Sequence, residues 1–159
     1  MVMDKIKVLF VCLGNICRSP SAEAILKDLA KKSNKEELFE IDSAGTSGFN
    51  AGKPADSRSK RHAQKRGYDL TSISRQIKHS DFEYYDFIIG MDDENISDLH
   101  EMAKGKHSEK ILKMTDFLSK YTDKKVPDPY YGDEKDFEYA LDLLEDASEG
   151  LFKHIQPSK

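Results

Sequence analysis

Val8-Leu-Phe-Val-Cys-Leu13 is the longest unbroken apolar run in the chain, and the abrupt way it ends constrains the fold more than any other feature. Lys5-Ile-Lys-Val-Leu-Phe-Val-Cys12 shows no polar alternation over its second half. It therefore predicts a strand covered on both faces, as in a parallel sheet. Leu13-Gly-Asn-Ile-Cys-Arg18 then breaks the run, and Ser19-Pro-Ser-Ala-Glu23 carries helix-start chemistry. Ser19 suits the N-cap, Pro20 the first helical position, and Ala22 to Leu29 an apolar face. The chain thus begins strand, tight loop, helix N-terminus.

The remainder repeats the alternation. Phe39-Glu-Ile-Asp-Ser-Ala44 reads as a second strand and passes into the loop Gly45 to Pro54. A basic helix from Ser57 to Arg66 stops at Gly67, a C-terminal signal. Asp86-Phe-Ile-Ile-Gly-Met91 is a third strand, and Asp92-Asp93-Glu94 opens a helix with acids where the dipole favours them. Ile111-Leu-Lys-Met114 is a weaker fourth strand. From Glu134 to Ile155 the residues Phe137, Leu141, Leu144, Ala147, Leu151 and Ile155 form one helical stripe. Strands alternating with helices predict an α/β fold with an open, mostly parallel sheet. With 159 residues and no repeat or linker, residues 1–159 are expected to form a single domain.

Composition narrows the function. Lys plus Arg is 25 against 29 Asp plus Glu, a net charge of −4, so the basic face that nucleic-acid binding requires is not expected. Two cysteines cannot build a disulfide scaffold or a Cys-only zinc site. An apolar run of six residues is too short for a membrane span or a secretory core. The expectation is a reduced, cytoplasmic monomer with no nucleic-acid or membrane partner.

In open α/β sheets ligands bind beyond the carboxyl ends of the strands. There the sequence places Cys12-Leu13-Gly14-Asn15-Ile16-Cys17-Arg18-Ser19, a cysteine and an arginine separated by five residues. A loop this tight, entering a helix N-terminus, converges its backbone N–H groups on one point. Gly14 and Asn15 are the residue types that best tolerate the positive φ such a turn requires. The resulting cradle suits a tetrahedral dianion, with the forked Arg18 on two of its oxygens and Cys12 facing its central atom. The same groups favour the thiolate of Cys12, and Ser19 is placed to donate to that sulfur. The Gly-Lys-Ser/Thr ending of a nucleotide phosphate loop is absent.

The stretch Val11-Cys-Leu-Gly-Asn-Ile-Cys-Arg-Ser-Pro-Ser-Ala-Glu-Ala24 resembles the signature of the low-molecular-weight protein tyrosine phosphatases. The likeness continues in Ile41-Asp-Ser-Ala-Gly-Thr46, Ser74-Arg-Gln-Ile77, Gly90-Met-Asp-Asp-Glu-Asn95 and Val126-Pro-Asp-Pro-Tyr-Tyr-Gly132. It implies a four-stranded parallel sheet with helices on both sides, and hydrolysis of phosphotyrosine without metal or other cofactor. The substrates would be phosphotyrosine-containing proteins and small aryl phosphates, and inorganic phosphate the product. Asp128, held between Pro127 and Pro129, would alone read as a turn aspartate. Beside the Cys12 loop and the matching block it is expected to serve as general acid and then base, with Cys12 as nucleophile and Arg18 as phosphate clamp. The resemblance also implies that Asn15, Ser19 and Ser43 support the loop, Ser43 as a partner of Asn15. Phe49, Tyr130 and Tyr131 resemble an aromatic rim, and the two tyrosines resemble kinase target positions. The family's usual histidine is replaced by Ser72, a departure in the support network. Cys17, five residues from Cys12, suggests a reversible Cys12–Cys17 disulfide that guards the nucleophile.

Three rival chemistries fit the same loop. A phosphocysteine carrier would need no acid such as Asp128. Arsenate reduction relays a disulfide to further cysteines, and none lies beyond Cys17. A phosphoarginine phosphatase would, by resemblance, carry threonine in place of Ile16. Histidines 62, 79, 100, 107 and 154 lack metal-ligand spacing and read as surface or packing residues. Lys60-Arg61 and Lys65-Arg66 read as a solvated face.

Overall fold

The computed structural model describes residues 4–157. Four strands form one sheet in the order β2-β1-β3-β4, all parallel: β1 Ile6–Cys12, β2 Phe39–Gly45, β3 Phe87–Gly90 and β4 Ile111–Lys113. Five α-helices connect and flank them: α1 Arg18–Lys32, α2 Ser57–Lys65, α3 His79–Tyr84, α4 Asp93–Met102 and α5 Glu134–His154.

The unbroken apolar run becomes a central strand because its side chains serve two cores. Val8, Phe10 and Cys12 point into a cluster with Ile25 and Leu26 of α1 and Leu144 and Leu151 of α5. Leu9 and Val11, one residue out of phase, enter a second cluster with Phe82 of α3 and Leu99 of α4. The period-2 geometry of a strand thus divides one apolar sequence between two helical layers. The fold is a three-layer α/β/α sandwich. From β1 the chain goes to one side for β2 and later to the other for β3, so the strand order reverses at the carboxyl end of β1. A crevice is built there by topology alone.

Local expectations fared unevenly. The left-handed φ of +90° at Gly67 ends α2 as the sequence suggested. Ser19, however, is not a cap. Helix α1 starts at Arg18, with Cys17 at the N-cap and no side-chain cap bond. The side-chain caps lie elsewhere, on Asp56 for α2, Asp92 for α4 and Asp133 for α5. The six-residue α3, absent from the sequence reading, buries only Asp81 and Phe82. A turn and a half of helix leaves too short a stripe for periodicity to reveal. Among the described residues, no helix is long and apolar enough to cross a membrane.

Candidate active site

Residues 13–17 bridge β1 and α1, and neighbouring elements hold the loop by its carbonyls. Cys12 accepts from the Thr46 N–H at 2.9 Å, Leu13 from Ser47 at 3.0 Å and Ile16 from Asp56 at 2.8 Å. The Gly14 carbonyl accepts from the Ser74 hydroxyl at 3.1 Å and from Asn50 Nδ2 at 3.4 Å. None of the N–H groups of residues 14–17 donates a hydrogen bond among the described residues. Most of the loop's carbonyls are taken and its donors are open, the pattern of an anion cradle.

Only Asn15 of the two expected residues adopts positive φ, at 56°. Its amide secures that conformation by donating to Ser19 Oγ at 2.8 Å and accepting from the Arg75 N–H at 3.0 Å. Gly14 matters for a different reason: a Cβ there would lie 2.8 Å from Asn50 Nδ2, so the Asn50 side chain, which donates to the Gly14 carbonyl, would have to move. Ser19, freed from capping, sits with its Oγ 3.0 Å from Cys12 Sγ.

Arg18 is only 3% exposed. Its Nη1 donates to Asp92 Oδ2 at 2.6 Å and to the Val126 carbonyl at 3.0 Å, while Nη2 lies 3.7 Å from Asp128 Oδ2. Its Nε is buried with no partner among the described residues. Burial opposes the charge, but Cys12, Asp92 and Asp128 more than offset it and push the guanidinium pKa above its ordinary value. Asp128 keeps its side chain 40% exposed and accepts from the Tyr130 N–H at 3.1 Å.

These groups line a cleft of about 390 Å³ that also includes Ile16, Phe49, Asn50, Tyr130 and Tyr131. Phe49 is 84% and Tyr131 93% exposed, so neither serves the core, while Tyr130 packs edge-on against Tyr131 at 4.8 Å. The aromatic trio stands at the mouth of the cleft.

One expected partnership is not formed. Ser43 makes no hydrogen bond to Asn15; its hydroxyl donates to Glu23 Oε1 at 2.6 Å, against the buried start of α1. Ser72 contributes nothing to the loop, its hydroxyl being buried and unpartnered among the described residues. Ser74 and Arg75, one turn of chain further on, supply the support instead. The sequence marks Asp92 as a helix-start acid. It performs that role toward the Asn95 N–H at 2.7 Å and also holds Arg18. Nothing local distinguishes the second role, because the pair is 74 residues apart.

Cys12 and Cys17 are both free, buried thiols. Burial pushes the Cys17 thiol up to about 12, although a hydrogen bond with Ser59 works the other way. His62 is a packing residue, buried against Phe137 with a ring separation of 5.6 Å and its Nδ1 bonded to Glu138. No group of three or more His, Cys, Asp or Glu among the described residues is arranged to hold a metal ion.

Comparison with known proteins completes the site's description. Residues 7–159 match the family described as low molecular weight phosphotyrosine protein phosphatase. The low molecular weight protein-tyrosine-phosphatase YfkJ of Bacillus subtilis is 40% identical over 155 residues, covering 97% of this chain and 98% of its own. The crystal structure of a protein tyrosine phosphatase from Entamoeba histolytica superposes with a TM-score of 0.93 at 44% identity, over 95% of this chain and 97% of that one. A Drosophila arginine phosphatase superposes at 0.89 with 32% identity, over 97% of this chain and 100% of that one.

Proposed function

The chain belongs to the low molecular weight phosphotyrosine protein phosphatases, and we propose that it hydrolyses phosphotyrosine in proteins through a phosphocysteine on Cys12. The Cys12 sulfur attacks phosphorus while the N–H groups of the loop and Arg18 take up charge on the equatorial oxygens. The bond to the tyrosyl oxygen breaks, and Asp128 delivers its proton to that oxygen so that a neutral phenol leaves. In the second step Asp128, now a carboxylate, accepts a proton from water as the water oxygen attacks phosphorus. Inorganic phosphate departs and the Cys12 thiolate is regenerated. Both steps draw only on side chains and amides of this chain.

The observation that carries this reading is that Cys12, the loop with its open amide donors and Arg18 with its unpartnered Nε line one cleft, with Asp128 3.7 Å from the same guanidinium. The exposed Phe49, Tyr130 and Tyr131 supply apolar walls for an aryl group, which suits phosphotyrosine and small aryl phosphates. A monomeric, cytoplasmic single domain of residues 1–159 fits a thiol nucleophile that needs reducing surroundings. A reversible Cys12–Cys17 disulfide is part of the proposal: peroxide oxidises the Cys12 thiolate to a sulfenic acid, the Cys17 sulfur attacks it with loss of water to form the S–S bond, and an external thiol reduces that bond again. Burial keeps the Cys17 thiolate, the attacking species, scarce at neutral pH.

Steady-state turnover of p-nitrophenyl phosphate tests the whole scheme. The wild-type chain is expected to turn over continuously, and Cys12→Ser to lose about 10⁴-fold or more while still binding phosphate. A single stoichiometric burst without steady release would replace hydrolysis with phosphoryl carriage.

A further inference from the structure

The segment that carries Asp128 has no regular structure of its own, lying between a 3₁₀ turn ending at Phe117 and the start of α5 at Glu134. A proton donor on such a segment is useful only if something outside it fixes where the carboxyl sits. On the upstream side the fixing is plain. The Val126 N–H donates to the Met91 carbonyl at 2.9 Å, and the Val126 carbonyl accepts from Arg18 at 3.0 Å. On the downstream side the bond arriving from another element comes from Arg58, whose Nη2 donates to the Tyr130 carbonyl at 3.0 Å.

Arg58 is unusually constrained for a residue at the start of an exposed basic helix. Asp56, the N-cap of α2, accepts from its Nε at 3.2 Å, its Nη2 at 3.0 Å and its backbone N–H at 2.8 Å. The guanidinium lies 5.3 Å from the ring centre of Tyr130 and 4.8 Å from that of Phe137. Asp56 in turn donates its N–H to the carbonyl of Ile16 at 2.8 Å, inside the anion loop. A continuous hydrogen-bonded path therefore runs from Ile16 to Asp56, to Arg58, to Tyr130, and from the Tyr130 N–H to Asp128 Oδ1 at 3.1 Å.

We propose that Arg58 is a positioning residue for Asp128, tying the acid's loop to the loop that presents Cys12 and so setting proton delivery to the leaving group. The role rests on the reading of Asp128 as the acid. Arg58 touches neither the phosphoryl group nor the proton. It keeps the donor and the nucleophile in one frame, and its planar fork grips Asp56 in a way that a lysine's point charge does not reproduce.

The test compares kcat/KM on phenyl phosphate, whose leaving group needs a proton, with that on 2,4-dinitrophenyl phosphate, whose leaving group departs without one. Arg58→Ala is expected to lose about tenfold on the first and less than about threefold on the second, a fraction of what general acid catalysis provides. Arg58→Lys should show the same bias at smaller size, about threefold, which keeps the test available should the alanine variant fold poorly. Adding Arg58→Ala to Asp128→Ala should cost nothing further on phenyl phosphate, because the group being positioned is already gone. Equal losses on the two substrates, or an undiminished loss in the Asp128→Ala background, would overturn the proposal and leave Arg58 a structural residue. Asp128→Ala alone separates this failure from a wider one. If that variant loses equally on both substrates, the acid reading falls and the role given to Arg58 falls with it.

Discussion

A guanidinium at 3% exposure must be aimed by its surroundings, since a buried charge is tolerated only with partners. For Arg18 the aiming is done on one edge. Nη1 is committed to Asp92 and Val126, which presents Nε and Nη2 as the pair of donors a phosphate can accept from. Asp92 is therefore expected to govern anion binding although it bears the wrong charge to touch an anion. Asp92→Ala should lower kcat/KM on aryl phosphates by about 10–100-fold and weaken inhibition by inorganic phosphate in parallel, because an ångström of misplacement is enough. Phosphate inhibition unchanged in that variant would show that Val126 alone suffices to aim the guanidinium. Cys12, Asn15, Arg18 and Ser19 were legible because turn and helix-start chemistry act within one short stretch. Asp128 was legible only through the matching block Val126 to Gly132, since between its two prolines alone it reads as a turn aspartate. Asp92, and Arg75, which lies 60 residues from the Asn15 it supports, were not, since only the folded sheet brings them near. Ser43 went the other way: its position was foreseen, but its hydroxyl was claimed by Glu23.

At the scale of elements, short apolar runs revealed the four strands and a helical stripe the long last helix. Such patterns failed where a side chain had two uses. Ser19 looks like a cap but is the hydroxyl beside the Cys12 sulfur. Asp146 is the counterpart on α5, an acid off the helix's apolar stripe that is nonetheless buried. Its carboxylate accepts from the N–H groups of Ser119, Lys120 and Tyr121 and from the Ser119 hydroxyl at 2.9 Å, thereby pinning the segment that follows β4. Burial works against its charge, yet these bonds hold its carboxyl below the ordinary value. A carboxylate depressed in the folded state stabilises above its unfolded pKa, about 3.9, and the contribution is lost as pH falls through the folded value. Melting temperature should therefore drop as pH is lowered below about 4, and Asp146→Asn should flatten that part of the drop. At neutral pH the same variant should be destabilised by about 1–3 kcal/mol in urea denaturation, the cost of weakened bonds to buried donors. A pH profile identical to wild type would mean the carboxylate is not what pins the turn.

The whole molecule fixes where chemistry happens but not which phosphoamino acid is consumed. A parallel sheet whose strand order reverses at β1 must place its crevice at the carboxyl end of that strand. The net charge of −4 has little say in binding a dianion there, because Arg18 and the loop amides act at contact distance while the scattered surface acids are screened within about 8–10 Å. Structures of a tyrosine phosphatase and an arginine phosphatase both superpose on this chain, so the scaffold itself does not select between the two phosphoamino acids. Selection has to come from the lining of the cleft. Ile16 lies half-buried on its wall, and Phe49, Tyr130 and Tyr131 stand at its mouth. An aliphatic wall under aromatic edges rewards a flat apolar ring and leaves only Ser47, Asn50 and Asp128 in the cleft to meet the N–H groups of a phosphoguanidinium, so part of its desolvation goes uncompensated. On matched peptides, kcat/KM for phosphotyrosine should exceed that for phosphoarginine by about 100-fold or more, the ratio expected when one substrate must bury unpaired polar groups. Ile16→Thr adds a hydroxyl at the wall and should narrow the ratio by about tenfold, chiefly by raising the phosphoarginine rate. A wild-type preference for phosphoarginine would assign this chain to the other chemistry of its scaffold. An unmoved ratio in Ile16→Thr would shift the choice from the loop to the three aromatic side chains.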